Sequence, residues 1–461
     1  MRTLRNAALA FLLAACGAAS APSTANQTNA DPGREAVAPI AAALRPVSGT
    51  GGDYADLLTA AGAARRVLLG ESTHGTHEYY RERARISERL VADHGFNAIA
   101  IEGDWSATWR VNLYVRGLGT DRTAEQALSS YRNFPQWMWG NTDFQAFVER
   151  LRALNLQRPA EQRVGLYGMD VYDLFDAADT VVAYLKQASP AAAKRAQAHY
   201  RCFSRYGRST HEYGAATHNP KVTCAAAAEA VASEVARLPM PDEPAAAERH
   251  FAAVRAAASV AAAEEYFRTA YTGSLAWNVR DQRMARNVEE IAAYAQRMTG
   301  RPGKVVIWGH NTHSGDARAT FAADRGELNL GQLMRQRHGD DAFLVGFFSY
   351  EGQVRAAPEW DQPARLYDMR PALAGSYSAL FHALERPAFS LVLRGNEAAK
   401  AALAGPMLER AIGVVYMPNS ERQSHYFEAR LSGQFDAVVY FDRSTAVTPL
   451  RTGGAARSRG R

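Results

Sequence analysis

The stretch RRVLLGESTHGTHEYYRERA, residues 65–84, joins a short apolar run to a charged segment with helical spacing. Its apolar part, VLL, ends at Gly70, as is typical of a buried strand that stops in a turn. Glu71 and His74 follow immediately. An acid and an imidazole at a strand-to-helix junction predict an α/β fold with a polar pocket at the end of the strand.

The same order of strand and helix recurs along the chain. Further apolar runs that predict strands are FNAIAIEGDW, RVGLYGMD, GKVVIWGHNTH, AFLVGFFSYEG, AFSLVLRG, IGVVYMP and FDAVVYFD. Helical spacing between several of them completes the alternation. This pattern is typical of a largely parallel central sheet flanked by helices, and we predict that fold class.

The long interval between RVGLYGMD and GKVVIWGHNTH is alanine-rich and has almost no strand signal, which predicts an inserted helical subdomain. The composition predicts these parts in chain order: a signal peptide over residues 1–15, a flexible tether over residues 16–40, an α/β body over residues 41–186 and 300–449, the helical insert or lid over residues 187–299, and a disordered basic tail over residues 450–461.

The first residues, MRTLRNAALAFLLAAC, combine a basic start with an apolar run that is too short to span a bilayer. This pattern predicts export, and the four residues ending at Cys16 match the lipobox of bacterial lipoproteins. We therefore expect a lipidated Cys16 and a membrane-anchored protein on the periplasmic face; the alternative is a plain secretory signal. In that oxidising compartment Cys202 and Cys224 either form a disulfide or stay as thiols.

The composition argues against a nucleic-acid partner. Of the 461 residues, 47% are apolar and 22% are charged, as in a soluble globular protein. The net charge of +6 equals the contribution of six arginines near the two ends, so the body is close to neutral and has no basic face. These arginines are Arg2, Arg5, Arg451, Arg457, Arg459 and Arg461.

Acids and imidazoles follow four of the predicted strands. Glu71 follows VLLG, Glu102 follows AIAI, Asp170 follows GLYGM, and His310 and His313 follow VVIWG. Because the carboxyl ends of parallel strands open on one edge of a sheet, these side chains are expected to converge on one pocket. The alternative is that each acid only caps the helix that follows it.

His74, paired with Glu71 or Glu102, is the candidate general base, because a neutral imidazole accepts a proton from water near neutral pH. Arg81, one turn beyond His77, either supports a developing oxyanion or lies on a solvated helix face. The chain has no G-x-S-x-G elbow, H-E-x-x-H motif, phosphate loop or dinucleotide loop. A serine nucleophile of the α/β-hydrolase kind is therefore not expected.

The same side chains could instead be metal ligands. Zinc prefers imidazole and carboxylate donors, although the spacing H-x-x-H is short and common. We expect no cofactor and keep a zinc-assisted hydrolase as the alternative. Its candidate ligands are Glu71, His74, His310 and His313.

Four stretches of the chain resemble the erythromycin esterase family. They are, in matching order, GESTHGTHEYYRERARISERLVADHGFNAIAIEGDW (residues 70–105), RDQRMARN (280–287), WGHNTHSGDAR (308–318) and ERQSHYFEARLSGQFDAVVYFD (421–442). The likeness extends over about residues 54–449. It implies hydrolysis of an ester, in the namesake case a macrolide lactone, by activated water and without a covalent enzyme intermediate.

The resemblance also implies roles for individual residues. It places the essential imidazole on His74, the partnering acid on Glu71 and a further acid on Glu102, and it leaves the second imidazole open between His310 and His313. We expect four further residues to contact a small-molecule ester or lactone: His77, Asp170, Arg280 and His425.

Substrate choice is less readable from the sequence. Four aromatic residues of the insert either line an apolar wall of the pocket or belong to the core: Tyr266, Phe267, Tyr271 and Trp277. From another class of function, a surface-tethered binding protein without turnover could use the same pocket.

Overall fold

The structure of the chain is a computed structural model that describes residues 32–270 and 276–450. The predicted signal peptide, the lipidation site at Cys16, residues 451–461 of the tail, and Tyr271 lie outside the described residues.

Seven of the eleven strands among the described residues lie in predicted apolar runs. The strands are β1 (Arg45–Pro46), β2 (Arg66–Leu69), β3 (Ala98–Ile101), β4 (Gly165–Gly168), β5 (Val305–Trp308), β6 (Ala342–Ala356), β7 (Arg365–Met369), β8 (Ala388–Val392), β9 (Met407–Arg410), β10 (Tyr426–Ala429) and β11 (Ala437–Ser444).

Helices connect most of these strands. They are α1 (Pro32–Ala43), α2 (Ala55–Gly62), α3 (His77–Asp93), α4 (Trp105–Val115), α5 (Ala124–Leu128), α6 (Thr142–Leu156), α7 (Phe175–Ala188), α8 (Pro190–Ser204), α9 (Thr210–Ala216), α10 (Ala225–Arg237), α11 (Pro244–Ala270), α12 (Ala276–Thr299), α13 (Asn311–Ser314), α14 (Leu330–His338), α15 (Tyr377–His382), α16 (Glu397–Ala402), α17 (Glu421–Ser424) and α18 (Leu431–Gln434).

Within the described ranges, nine strands form one sheet with the order β1-β8-β11-β6-β2-β5-β3-β4, and β7 pairs with β6. The six strands from β11 to β4 run parallel to one another, whereas β1, β7 and β8 pair antiparallel with their neighbours. A separate antiparallel pair joins β9 to β10. The predicted fold class, a largely parallel sheet flanked by helices, is therefore confirmed.

Successive residues of the central strands enter two different cores. Leu68 and Ile307 face one core, and Val67, Leu69 and Trp308 face the other. All five side chains are fully buried. Burial of both faces explains why these strands appear in the sequence as continuous apolar runs. Each such aliphatic side chain contributes about 1.5–3 kcal/mol when it leaves water, so the sheet centre is a rigid base for the loops that follow it.

The helices α8 to α12 lie between β4 and β5 in the chain, where the sequence predicts an insert. Their buried residues, such as Phe251, Val260 and Met284, share the core that contains Leu68 and Ile307. The insert thus contributes a helical layer to one face of the sheet. Because the alanines are small, these helices can approach the sheet and one another closely.

Cys202 in α8 and Cys224 before α10 form a disulfide that spans 22 residues of sequence. It ties together two helices of the insert. In the part of the chain that the structure describes, no helix is both long and apolar enough to cross a membrane.

Two expectations about local structure are wrong. Residues 32–40, expected to belong to a flexible tether, form most of α1, and Ile40 there is fully buried against the first core. The run IGVVYMP is not a strand: Ile412 and Val415 make only isolated bridges, to Thr73 and Ala357. An apolar run can be buried by single contacts with neighbouring loops, and apolar composition alone does not distinguish this from a strand.

Candidate active site

The predicted convergence at the carboxyl edge of the sheet is present. Leu69 of β2 and Ile101 of β3 both pair with Trp308 of β5, so the three strands end side by side. Glu71, Glu102, Asp170 and His310 each follow one of the four neighbouring strands β2, β3, β4 and β5 within two residues. All four side chains are buried.

Two glycines let the segments at this edge approach closely. A Cβ atom on Gly70 would lie 2.1 Å from the Asn311 Oδ1 atom, and one on Gly75 would lie 1.9 Å from the Arg355 carbonyl oxygen. The Asn311 backbone amide also donates to the Glu71 carbonyl at 2.8 Å. The turn GESTHG is therefore held between the segment after β5 and the far end of β6.

His74 lies at one end of a buried chain of polar contacts. Its Nδ1 atom is 2.9 Å from Glu71 Oε1, and Arg83 donates to the other oxygen, Glu71 Oε2, at 2.6 Å. The fully buried Arg83 guanidinium also lies 4.8 Å from the ring centroids of Tyr80 and Trp308. Because Glu71 fixes Nδ1 as the protonated nitrogen, His74 Nε2 keeps its lone pair, and no described residue hydrogen bonds to it.

Arg280, from the second turn of α12, joins the acids on the other side of the site. It donates to both oxygens of Asp170 at 2.8 and 2.7 Å, to Glu102 Oε1 at 2.7 Å and to His313 Nε2 at 2.9 Å. The other ring nitrogen, His313 Nδ1, lies 2.9 and 3.0 Å from the oxygens of Asp281. Both nitrogens of His313 are therefore occupied by protein groups.

His310 is arranged differently. Its Nδ1 atom lies 2.8 Å from Thr312 Oγ1 and 3.3 Å from the Thr312 backbone amide, whereas its buried Nε2 atom has no protein hydrogen-bond partner among the described residues. The ring centroids of His310 and His74 are 4.8 Å apart. Burial, followed by the neighbouring His74, lowers the pKa of His310 well below its usual range, against the opposing effects of Glu102 and the Ser72 carbonyl, so the ring is neutral.

Glu102 stays ionised in this setting. Burial works to raise its pKa, but His313, Arg280 and His74, together with the hydrogen bond that the His310 backbone amide donates at 2.7 Å, hold the pKa of Glu102 well below its usual range. Glu102 thus anchors the two halves of the site, since one oxygen accepts from Arg280 and the other from the backbone of His310.

A row of half-buried aromatic side chains continues outward from Arg280. The Arg280 guanidinium lies 5.0 Å from the ring centroid of Tyr172, which is 6.1 Å from Trp360, which in turn is 5.0 Å from Phe134. These rings come from three separate loops. We call Tyr172, Trp360 and Phe134 the aromatic row.

The predicted aromatic residues of the insert lie beside these groups. Tyr266 is buried, packs edge-on against Tyr172 at 5.1 Å and hydrogen bonds to its hydroxyl at 3.2 Å, and Phe267 is 6.1 Å from Tyr172. Trp277 stacks on His313 at 4.4 Å. Tyr266 is thus a core residue that supports the aromatic row, whereas Trp277 covers one imidazole of the site.

The expectation that Arg81 faces the pocket is wrong. Its side chain is 46% exposed and pairs with Glu82 at 2.6 Å. Successive residues of a helix are rotated by about 100°, so Arg83, two positions on, lies on the buried face instead. The sequence does contain this signal, since Tyr79 and Tyr80 precede Arg83 at the spacing of one apolar helix face.

Two predicted substrate contacts lie outside the cluster. His77 is a third exposed and bonds to Asp143 at 2.7 Å, a contact that raises its pKa despite partial burial. Both ring nitrogens of His425 are used by the backbone, because Met417 N–H donates to Nε2 at 2.9 Å and Nδ1 lies 3.1 Å from the Ala411 carbonyl. Burial lowers the pKa of His425 to about 4. Neither histidine therefore contacts the buried cluster of His74, Glu71 and Glu102.

Sequence reasoning missed Arg83 and Asp281, the buried partners of Glu71 and His313. Asp281 is adjacent to Arg280 in RDQRMARN, but its pairing with His313 joins positions 32 residues apart and leaves no local signal. In the described ranges, no three or more His, Cys, Asp or Glu side chains are arranged to hold a metal ion.

The fold and the site together place this protein among α/β proteins that carry a polar cluster of acids, imidazoles and arginines at the carboxyl edge of a mostly parallel sheet. The chain belongs to the erythromycin esterase family, a family of hydrolases, because the family model described as erythromycin esterase matches residues 91–444.

Solved structures show the same fold. A protein described as a succinoglycan biosynthesis protein is 18% identical, with a TM-score of 0.73 over 91% of this chain and 99% of that one. A protein from Bacillus cereus is 17% identical, with a TM-score of 0.73 over 92% and 100%. A mutant of the erythromycin esterase EreC in its open conformation is 17% identical, with a TM-score of 0.62 over 87% and 95%.

Proposed function

We propose that this protein hydrolyses a carboxylic ester or macrolactone, with His74 as the general base that activates water. One observation carries the proposal: the buried contacts from Arg83 to Glu71 to His74, which leave the His74 Nε2 lone pair free. A carboxylate on Nδ1 fixes the tautomer and stabilises the imidazolium that forms when water loses its proton.

A direct attack by water suits the neighbouring side chains. The turn contains two hydroxyl side chains, and neither is placed as a nucleophile. Ser72 is buried and lies 2.8 Å from the Tyr79 hydroxyl, which also donates to Ser349, and the Thr73 hydroxyl pairs with that of Thr76. Ser72 belongs to a core hydrogen-bond network. Both described cysteines are joined in the disulfide. We therefore propose hydrolysis without an acyl-enzyme intermediate.

The surroundings favour a neutral, apolar substrate. Three buried carboxylates, those of Glu71, Glu102 and Asp170, outnumber the two arginines that pair with them, Arg83 and Arg280. The excess negative charge would repel an anionic ester. The aromatic row offers its rings at the border of the cluster, where an apolar chain or ring of the substrate can lie.

The experiment is hydrolysis of a panel by the full-length protein, with products identified by mass spectrometry. The panel holds a macrolide, p-nitrophenyl acetate, p-nitrophenyl 3-phenylpropanoate and an anionic succinate monoester, each with and without chelator or added zinc. We expect turnover of neutral esters and little of the succinate. Failure to add water to any neutral member would contradict the proposal, and turnover that is abolished by chelator and restored by zinc would redirect it to a metal-assisted hydrolase.

We further propose export and lipidation at Cys16, on the strength of the lipobox in the sequence. Metabolic labelling with a radioactive fatty acid tests it directly. Label on the wild-type chain but not on the Cys16→Ser variant is expected, and an unlabelled wild-type chain would leave only the plain secretory signal.

A further inference from the structure

A segment between β9 and β10, residues 411–417, lies against the turn that carries His74. The His74 backbone N–H donates to the Ile412 carbonyl at 3.2 Å, and the Ile412 N–H donates to the Ser72 carbonyl at 2.8 Å. Ile412 is fully buried in a small core that it shares with Tyr416. We call residues 411–417 the strap. The strap fixes the backbone from which the His74 imidazole projects.

The other end of the strap contacts the loop that carries Trp360. The Ala357 N–H donates to the Val414 carbonyl at 2.8 Å, and the Tyr416 N–H donates to the Ala357 carbonyl at 3.0 Å. Ala357 precedes Trp360, a member of the aromatic row, by three residues in the connection between β6 and β7. One short segment is therefore bonded both to the turn with the proposed base and to the loop with a proposed substrate contact.

His425 binds both ends of the strap. A carbonyl can only accept, so the contact of 3.1 Å between His425 Nδ1 and the Ala411 carbonyl requires a proton on Nδ1. An amide N–H can only donate, so the Met417 N–H, whose nitrogen is 2.9 Å from Nε2, requires a lone pair there. The two contacts agree on one neutral tautomer. The side chain is buried, and the His425 carbonyl also accepts from the Ala411 N–H at 2.8 Å.

We propose that His425 is a positioning residue, which acts through the strap to hold His74 and Trp360 in place together. The proposal rests on the proposed ester hydrolysis. It gives a role to the histidine of the stretch ERQSHYF, which lies outside the buried cluster. A histidine suits this position because one ring nitrogen can donate to a backbone group while the other accepts from a second backbone group.

The two contacts of His425 are expected to have different kinetic effects. Ala411 is adjacent to Ile412, which bonds to the turn that carries the base, so the Nδ1 contact should govern the rate of the chemical step. A shift of about 1 Å in a catalytic group can slow a reaction by about 10²-fold. Met417 is adjacent to Tyr416, which bonds to the loop of the aromatic row, so the Nε2 contact should govern the binding of an apolar acyl group.

Asparagine and glutamine at position 425 separate the two contacts. The asparagine amide can reach the position of Nδ1 and donate to the Ala411 carbonyl, whereas the glutamine oxygen can reach the position of Nε2 and accept from the Met417 N–H. We expect His425→Asn to keep kcat near the wild type but to raise KM for p-nitrophenyl 3-phenylpropanoate by about 3- to 10-fold. We expect His425→Gln to lower kcat on both p-nitrophenyl esters by about 10- to 100-fold with KM near the wild type.

His425→Ala removes both contacts and should combine the two defects. The same kcat and KM in the Asn and Gln variants, or a wild-type kcat in the Ala variant, would overturn the proposal.

The strap can also be tested without any turnover. Hydrogen–deuterium exchange of the full-length protein, followed by mass spectrometry of peptides that cover residues 70–77, reports the backbone amide of His74. We expect exchange there to be faster in His425→Gln and His425→Ala than in the wild type and in His425→Asn. The control is His250→Ala in α11, a buried histidine that bonds to Tyr184, and it should leave exchange over residues 70–77 unchanged.

The exchange experiment separates the two proposals. Wild-type exchange over residues 70–77 in His425→Gln and His425→Ala, or the same increase in His250→Ala, would overturn the role of His425. Faster exchange confined to the His425 variants of a protein that hydrolyses no ester would overturn the proposed function instead.

Discussion

At the scale of single residues, the balance of buried charge around Glu71 is the feature that a substitution would disturb most. Glu71 and Arg83 are both fully buried, and each compensates the other's charge while Glu71 also orients His74. A buried pair of this kind adds little net stability compared with an apolar pair of the same size. Its removal on one side only is costly, because a single charge then stays buried without a partner.

This asymmetry predicts the effect of Arg83→Met. Glu71 would become an unpaired buried charge, so we expect the free energy of unfolding to fall by about 3–5 kcal/mol, measured by urea denaturation. The matched control is Arg81→Met on the same helix. The Arg81 side chain is half exposed, and the buried Glu82 keeps Arg85 as a partner when Arg81 is removed, so we expect a loss of no more than ~1 kcal/mol. Equal effects of the two substitutions would contradict the assignment of Arg83 to the buried network.

The pairing of Glu71 with His74 could be predicted from sequence because both lie in one turn. The choice between Arg81 and Arg83 could not be made from charge, since both arginines follow the turn on the same helix. It depends on which face of α3 packs on the sheet, and the apolar positions Tyr79 and Tyr80 define that face.

At the scale of elements, the site is assembled from loops whose contacts are distant in sequence. The aromatic row joins loops around positions 134, 172 and 360, and none of these was predicted to meet. Strands leave a periodic signal in the sequence, but loop-to-loop contacts depend on the sheet order. That order places β6 next to β2 although β3, β4 and β5 come between them in the chain.

Trp360→Leu tests whether the aromatic row binds substrate. We expect KM for p-nitrophenyl 3-phenylpropanoate to rise by about 3- to 10-fold, the value of one lost aromatic contact, while the kinetics on p-nitrophenyl acetate stay unchanged. Trp109→Leu is the control, because Trp109 stacks on the core residue Trp105 and, among the described residues, makes no ring contact with the row. A rise in KM for both esters, or for neither, would contradict the role of the row.

The disulfide between α8 and α10 makes a second prediction about elements. A cross-link that closes 22 residues restricts the unfolded chain and stabilises the fold by about 3 kcal/mol. We therefore expect Cys202→Ser with Cys224→Ser, or reductant on the wild type, to lower the melting temperature by several degrees. Reductant should have no effect on the double variant; a melting temperature that is the same in all cases would mean that the bond does not form.

For the molecule as a whole, the parallel centre of the sheet and its helices could be predicted because each strand is buried on both faces. The β9–β10 pair and the position of α1 could not. Their residues are buried by contacts with distant segments, as with Glu409 of β9, which lies 3.4 Å from Asn311 beside the active site.

Glu409 makes global stability depend on pH. Burial raises its pKa from 4.5 to about 8, against hydrogen bonds from Gln434 and Asn311. The folded state therefore holds this proton more tightly than the unfolded state, so the contribution of Glu409 to stability falls as pH rises from about 4.5 to about 8 and is constant above. Glu409→Gln cannot ionise, and its melting temperature should exceed that of the wild type by more at pH 8 than at pH 5. A pH-independent difference would contradict a buried, protonated Glu409.

The central claim is that His74 activates the hydrolytic water, and kcat/KM of His74→Ala beside His77→Ala on the best neutral ester tests it most directly. Both variants remove one imidazole, three residues apart in the chain, but only His74 contacts Glu71, whereas His77 contacts Asp143. Loss of a general base predicts a fall of about 10²–10⁴-fold for His74→Ala and activity near the wild type for His77→Ala. Equal activity of the two variants, or a natively folded His74→Ala that keeps the wild-type rate, would contradict the account.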